Sequence, residues 1–243
     1  MDLFLWVIFP YICLAIFVVG HFWRYRYDKF GWTTRSSQLY ETRLLRIGSP
    51  LFHYGILFAL LGHVMGLVIP KAWTEAMGIS QEAYHTVAVV GGLVSGAMVC
   101  VGFVILVFRR RTVRTVFNAT TVNDKAMYLV LGLVIALGMW NTISTWLSHE
   151  YNYRSGVSPW FRSIFLFQPN PELMAEAPFQ FQAHAFLAFL LIGMWPFTRL
   201  VHVFSAPVAY FTRPYIVYRS RGDRVRSRSR APQDTWTSPT SRR

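Results

Sequence analysis

Apolar residues in this chain fall into five long blocks separated by polar stretches: Leu3–Trp23, Leu51–Ile69, His85–Phe108, Ala126–Leu147 and Phe179–Phe204. A helix needs about 20 mostly apolar residues to cross the hydrocarbon core of a bilayer. The pattern therefore predicts an all-α integral membrane bundle of five transmembrane helices. Nothing between the blocks is long enough for a separate soluble domain, so residues 1–218 read as one membrane domain. In the second block, Ser49 suits an N-cap and Pro50 the first helical position, with an end near Pro70. Pro196 predicts a bend in the second half of the fifth block.

Composition agrees. Charged residues make up only 14% of the 243, against about 25% in soluble domains. The formal net charge of +13 would suit a nucleic-acid partner, but its distribution argues against one. Lys and Arg number six between blocks one and two, five between three and four, and nine after block five. The other two loops hold one and two. That asymmetry is the positive-inside pattern, which predicts an N-terminus outside, a C-terminus in the cytoplasm and a plasma-membrane location. The first block follows Met1-Asp2 with no basic residue before it, so it reads as a retained helix, not a signal peptide. Cys13 and Cys100 lie inside apolar blocks and read as small core residues. The tail, residues 219–243, is rich in Arg, Ser and Pro and has little to bury, so it reads as disordered and attracted to lipid headgroups.

The outer loop Ser148–Pro178 holds Trp160, Phe161, Phe165 and Phe167, which suggests a short segment lying on the membrane. Glycines recur at Gly62, Gly66, Gly92 and Gly96 with small-xxx-small spacing. They fit ordinary close helix packing, or room for a flat ligand.

Candidate chemistry lies with the histidines. Four of the seven fall deep in predicted spans: His53 and His63 in block two, His184 and His202 in block five. Ionisable residues within a membrane are costly and are functional candidates by default. The ten-residue spacing on one helix amounts to about 15 Å and the eighteen-residue spacing on the other to about 27 Å. Neither pair can meet at one point along its own helix. Antiparallel topology then pairs His63 with His184 at the outer side and His53 with His202 at the cytoplasmic side. Eighteen residues at about 100° each would put both block-five ligands on one face. Zinc would want three or four ligands at one point, whereas two imidazoles suit a porphyrin iron. The reading is two b-type haems, and the absence of C-x-x-C-H excludes covalent attachment. Phe52, Phe58, Phe186, Phe189, Trp195 and Phe204 would cover the macrocycles, with Gly62 and Gly66 leaving room. Arg199 would pair with a propionate or snorkel to the interface.

At these residues the chain resembles the cytochrome b (gamma) subunit of membrane-bound respiratory nitrate reductase. The stretches WRYRYDKFGWTTRSSQ (Trp23–Gln38), LFHYGILFALLGHVMG (Leu51–Gly66) and WPFTRLVHVFSAPVAYFTR (Trp195–Arg213) carry the likeness, with His184 upstream of the last. The resemblance implies two haems b on the four histidines and quinol (menaquinol or ubiquinol) oxidised near the outer haem. Electrons would pass to an iron–sulfur (beta) subunit and then to a molybdenum (alpha) subunit that reduces nitrate. The tail past Arg219 and the outer loop depart from the family pattern. Where the family often has a lysine near the quinol site, the nearest candidate is His85. That imidazole could accept a quinol proton, or simply be an interfacial histidine wetted by headgroups.

Three other functions fit parts of this pattern. A related diheme b subunit of a sulfur or heterodisulfide electron-transfer complex would share the scaffold. A transporter would predict inverted repeats and broken helices. A purely structural anchor leaves four spaced intramembrane histidines unexplained.

Overall fold

The structure is a computed structural model describing residues 1–28, 31–32, 37, 40–148 and 151–205. The basic tail lies outside the described residues. Every regular element described is helical. Four helices are long and apolar enough to cross a membrane: α1 (Phe4–Tyr27), α2 (Arg43–His63, extended by a π turn to Val68), α4 (Gln81–Thr112) and α6 (Val122–Ser148). Short helices α3 (Lys71–Ala76), α5 (Arg114–Asn118), α7 (Val157–Phe165) and α8 (Glu172–Ala175) join or cap them. The fifth block forms α9 (Phe179–Met194), followed by two 3-10 turns, Trp195–Phe197 and Arg199–Val203.

The outer faces of the long helices are apolar. On α4, Val87, Val90, Val94, Val101 and Val104 recur at helical spacing and are all more than half exposed. A water-facing surface does not carry such a stripe, whereas lipid covers it at no cost.

Helix neighbours run α2, α4, α6, α9, α1. The closest approach joins α2 and α4, where glycines let backbones touch. A Cβ on Gly55 would lie 2.8 Å from the Val99 nitrogen, and one on Gly102 2.5 Å from that of Phe52. Gly92 and Gly96 pack against Thr142 and Met139 of α6, so they serve ordinary helix packing.

Several local expectations are corrected. α2 begins at Arg43, so Pro50 sits inside the helix and Ser49 is not its N-cap. The cap of α4 is Ser80, whose hydroxyl accepts from the Ala83 N–H at 3.1 Å. That start places His85 one turn into the helix. Block five does not continue as a bent α-helix. At Thr198 the backbone is extended (φ −116°, ψ 178°) between the two 3-10 turns, so the eighteen-residue helical-wheel argument does not hold for it. The break is closed by side chains. Arg24 of α1 donates to the Pro196 carbonyl at 2.8 Å, and the Thr198 hydroxyl accepts from the Leu200 N–H at 3.3 Å.

The loop between α6 and α9 forms two short helices that pack on the bundle. α7 turns inward, burying Trp160 and Ile164 in a core with Trp6, Cys13 and Phe189. The Trp160 indole donates to the Trp6 carbonyl at 2.9 Å. Ser158 and Arg162 donate to the carbonyls of Gly66 and Leu67, at 2.8 and 2.9 Å, where the π turn of α2 ends. Only Phe165 and Phe167 of the four loop aromatics stay largely exposed. Cys13 and Cys100 are both free thiols.

Candidate functional site

The four histidines meet in two pairs, and the pairs are the ones antiparallel topology requires. His63 of α2 faces His184 of α9 with ring centres 6.1 Å apart and planes at 25°. His53 of α2 faces His202, in the second 3-10 turn, at 5.8 Å and 73°. Among the described residues, no group of three or more His, Cys, Asp or Glu could hold a metal ion.

In all four rings Nδ1 lies against a backbone carbonyl. His53 bonds Ser49 and His63 bonds Ala59, each at 2.7 Å. His184 bonds Val134 at 3.1 Å and His202 bonds Arg199 at 2.7 Å. A carbonyl can only accept, so each proton sits on Nδ1 and the Nε2 lone pair is left as a ligand. Such anchoring fixes tautomer and ring orientation in metal-binding histidines.

The spacing fits an iron between each pair. An imidazole–metal bond is about 2 Å long, and each ring nitrogen lies about 1 Å from its ring centre, so two ligands in line through one metal put the centres about 6 Å apart. Both pairs stand near that value.

The surroundings are partly those the sequence suggested. Gly62 has open space where a Cβ would point, while Gly66 lies against the Tyr153 ring at 3.1 Å. Gly62 thus retains the room a flat ligand needs, and Gly66 is taken up by packing. Phe186 and Phe189 do not flank the pairs as expected. Phe186 stacks on Phe9 of α1 at 4.5 Å, and Phe189 meets Trp160 at 5.9 Å. They face α1 and α7 instead. Arg199 has a protein partner: its Nε and Nη2 donate to the two carboxylate oxygens of Asp124 at 2.8 and 2.7 Å. His85 is half-buried in α4 and belongs to neither pair.

Sequence reasoning missed two contributors. Gly138 of α6 lies beside His184, and a Cβ there would be 3.0 Å from His184 Cε1. Ser49 supplies the carbonyl for His53 and sets its hydroxyl 3.2 Å from the same nitrogen. The Ser49–His53 spacing of one helical turn was a visible signal, whereas Gly138 needed the partner helix to be known.

Beside the start of α2, Arg109 at the end of α4 is buried and holds the first loop. Its guanidinium donates to the Glu41 carboxylate at 2.6 Å, the Ser37 hydroxyl at 2.8 Å, and the Ser37 and Glu41 carbonyls at 2.8 and 2.7 Å. Beside it, Arg110 donates to Thr120 at 3.0 Å and lies 5.0 Å from the Tyr128 ring centre.

Comparison with known proteins gives the family. Residues 2–221 match the nitrate reductase gamma subunit family. The nitrate reductase gamma chain of Bacillus subtilis is 44% identical over 89% of this chain and 97% of its own length. The respiratory nitrate reductase 2 gamma chain of Escherichia coli is 35% identical over 91% of this chain and 98% of its own. The nitrate reductase-like protein NarX of Mycobacterium tuberculosis is 56% identical over 93% of this chain, which spans only about a third (35%) of that longer protein. The chain is a multi-pass membrane protein and belongs to the nitrate reductase gamma subunit family.

Proposed function

We propose that the chain is the diheme cytochrome b subunit of a respiratory nitrate reductase, oxidising quinol at the outer face of the membrane. The observation that carries this reading is the paired geometry: two histidine pairs, each about 6 Å between ring centres, every Nδ1 held by a carbonyl. His63 and His184 hold the outer haem, His53 and His202 the inner one. When bound, each group supplies a one-electron carrier. The chain's own part is to fix the four imidazoles, leave room beside Gly62, and surround the sites with apolar side chains.

In this reading the fifth block crosses the membrane as α9 plus its 3-10 continuation, with the N-terminus outside and the C-terminus in the cytoplasm. The charge asymmetry of the loops supports that orientation. Electrons leave at the cytoplasmic end, toward an iron–sulfur (beta) subunit and a molybdenum (alpha) subunit where nitrate is reduced. The segments Arg24–Pro50 and Arg109–Lys125, with the residues after His202, are the docking surface.

The test is a reduced-minus-oxidised optical spectrum with haem quantification by acid-acetone extraction. Two non-covalent haems b per chain are expected. One or none, after expression with ample haem, overturns the reading. Cross-linking of the iron–sulfur subunit to the 148–178 loop would overturn the orientation.

A further inference from the structure

We propose that Arg154 tunes the outer site: its buried, unneutralised charge raises the reduction potential of the group held by His63 and His184. This rests on the diheme reading above.

Arg154 lies in the stretch between α6 and α7, close to the end of α2. Its neighbour Tyr153 sets its ring 3.1 Å from where a Cβ of Gly66 would stand, and Gly66 is three residues beyond His63. The Arg154 side chain ties this stretch to the start of α4. Nη1 donates to the Gln81 amide oxygen at 3.1 Å and Nη2 to the Thr74 hydroxyl at 3.0 Å. The guanidinium carbon stands 3.8 Å from the centre of the Tyr84 ring. The residue is 4% exposed, and its Nε is buried without a hydrogen bond.

All of these contacts are to neutral groups. Among the described residues no carboxylate pairs with Arg154. Glu82, in the first turn of α4, is exposed and belongs to none of the ion pairs. Burial, and then the Tyr84 phenol, push the Tyr153 phenol well up, so it supplies no negative charge. The helix dipole adds to the cost, because Gln81 and Tyr84 belong to the first turn of α4, its positive end. Arg162 differs: it donates to the Leu67 carbonyl at the end of α2, where a cation suits the dipole. Beside His202 the arginines are neutralised as well, Arg199 by Asp124 and Arg24 by Asp28. The uncompensated buried cation therefore stands at the outer end alone of these positions.

A buried charge without a counter-ion is costly, and salt screens its field only weakly. One electron arriving at the outer site lowers the net charge there by one, with no proton or other reactant taken up. A fixed cation nearby favours that state. Arg154 thus makes the outer site a better acceptor for an electron from quinol, through charge and not through contact with the substrate.

The experiment is potentiometric titration of the complete complex in detergent, following the two haem components optically. The component lost in His63→Ala identifies the outer one. Arg154→Met removes the charge. Gln81→Glu keeps the arginine and sets a carboxylate where the amide oxygen now accepts from it. Both are expected to move the outer component to lower potential by about tenfold in the one-electron equilibrium, which is about 59 mV, and to leave the inner one in place. A role confined to tying the loop to α4 predicts otherwise, since Gln81→Glu would strengthen the tie and leave both potentials alone. An unmoved outer component in Gln81→Glu, with both haems retained, overturns the proposal whether or not Arg154→Met assembles. So does an equal shift of both components. A wild-type complex that lacks the haems defeats the diheme reading, and the proposal with it.

Discussion

Gly138 and His184 touch across α6 and α9 so closely that a side chain on the first would displace the second: a Cβ would stand 3.0 Å from Cε1 and 3.5 Å from Nδ1. The same imidazole is tied to the Val134 carbonyl, one turn earlier on α6. One helix therefore provides both the tether and the space for a ligand carried by the other. Gly138→Leu is expected to remove the outer haem signal and leave the inner one. An unchanged spectrum with two haems would show that the ring can shift without losing its ligand role.

Pairing itself gives the next expectation. Replacing His63 or His184 with Ala should abolish one spectral component, and replacing His53 or His202 the other. Potentiometric titration separates the two. Loss of the same component in His53 and His63 variants would contradict the geometry, because those residues face different partners.

Much of this was legible in the sequence because membrane helices leave few alternatives. Apolar block length defined the long helices, and the four histidine positions with antiparallel topology were enough to pair them. What failed was whatever depended on local backbone. Ser49-Pro50 looked like a helix start, yet α2 runs through it from Arg43, where the Glu41 carboxylate accepts from the Leu44 N–H at 2.7 Å and satisfies the first turn. Eighteen residues were counted as α-helix where Pro196 and Thr198 turn the chain into 3-10 geometry, an outcome set by Arg24 satisfying the Pro196 carbonyl from another helix. Phe186 and Phe189 were placed beside the ligands because periodicity cannot say which of two neighbours a face will meet. Trp160 was read as interfacial because an aromatic run in a loop looks the same whether it lies on lipid or caps a core.

That cap makes a stability prediction. Trp160 is 1% exposed, packs edge-on against Trp6 and Phe189, and donates to the Trp6 carbonyl. Trp160→Ala should cost about 3–5 kcal/mol. Trp160→Phe keeps most of the packing and should cost nearer 1 kcal/mol beyond its lost volume, for the missing hydrogen bond. Thermal unfolding in detergent, followed by intrinsic fluorescence of the remaining tryptophans, distinguishes the two. Equal effects would mean that the indole bond carries the cap.

The Glu41–Arg109 clamp should respond to acid. Burial acts to raise the Glu41 carboxyl, but the Leu44 N–H and the Arg109 guanidinium outweigh it and hold the group below its ordinary 4.5. A lowered folded value means that the clamp contributes fully above the unfolded value and is lost as pH falls through the folded one. Pepsin cleavage within residues 37–42 should therefore appear only well below pH 4.5 in the wild type. In Glu41→Gln the acid dependence should vanish once cleavage is taken relative to an unfolded reference peptide, which removes pepsin's own pH dependence. Persistent acid dependence in that variant would assign the switch to another carboxylate.

The last expectation separates two roles for Arg199. Its carbonyl orients His202 through a 2.7 Å bond to Nδ1, and its guanidinium is fixed by both carboxylate oxygens of Asp124. The Asp124 side chain is 8% exposed and that of Arg199 19%, so removing either partner leaves a largely buried charge, at a cost of about 3–5 kcal/mol. If the ion pair positions His202, Asp124→Leu and Arg199→Leu should both weaken retention of the inner haem and leave the outer one intact. If Arg199 instead serves a haem propionate, Asp124→Leu frees the guanidinium for that task and the inner haem should persist, while Arg199→Leu alone loses it. Haem content and the two midpoint potentials, measured on both variants, decide between them. The geometry favours positioning, because the two Arg199 nitrogens best placed for a bidentate grip are already on Asp124.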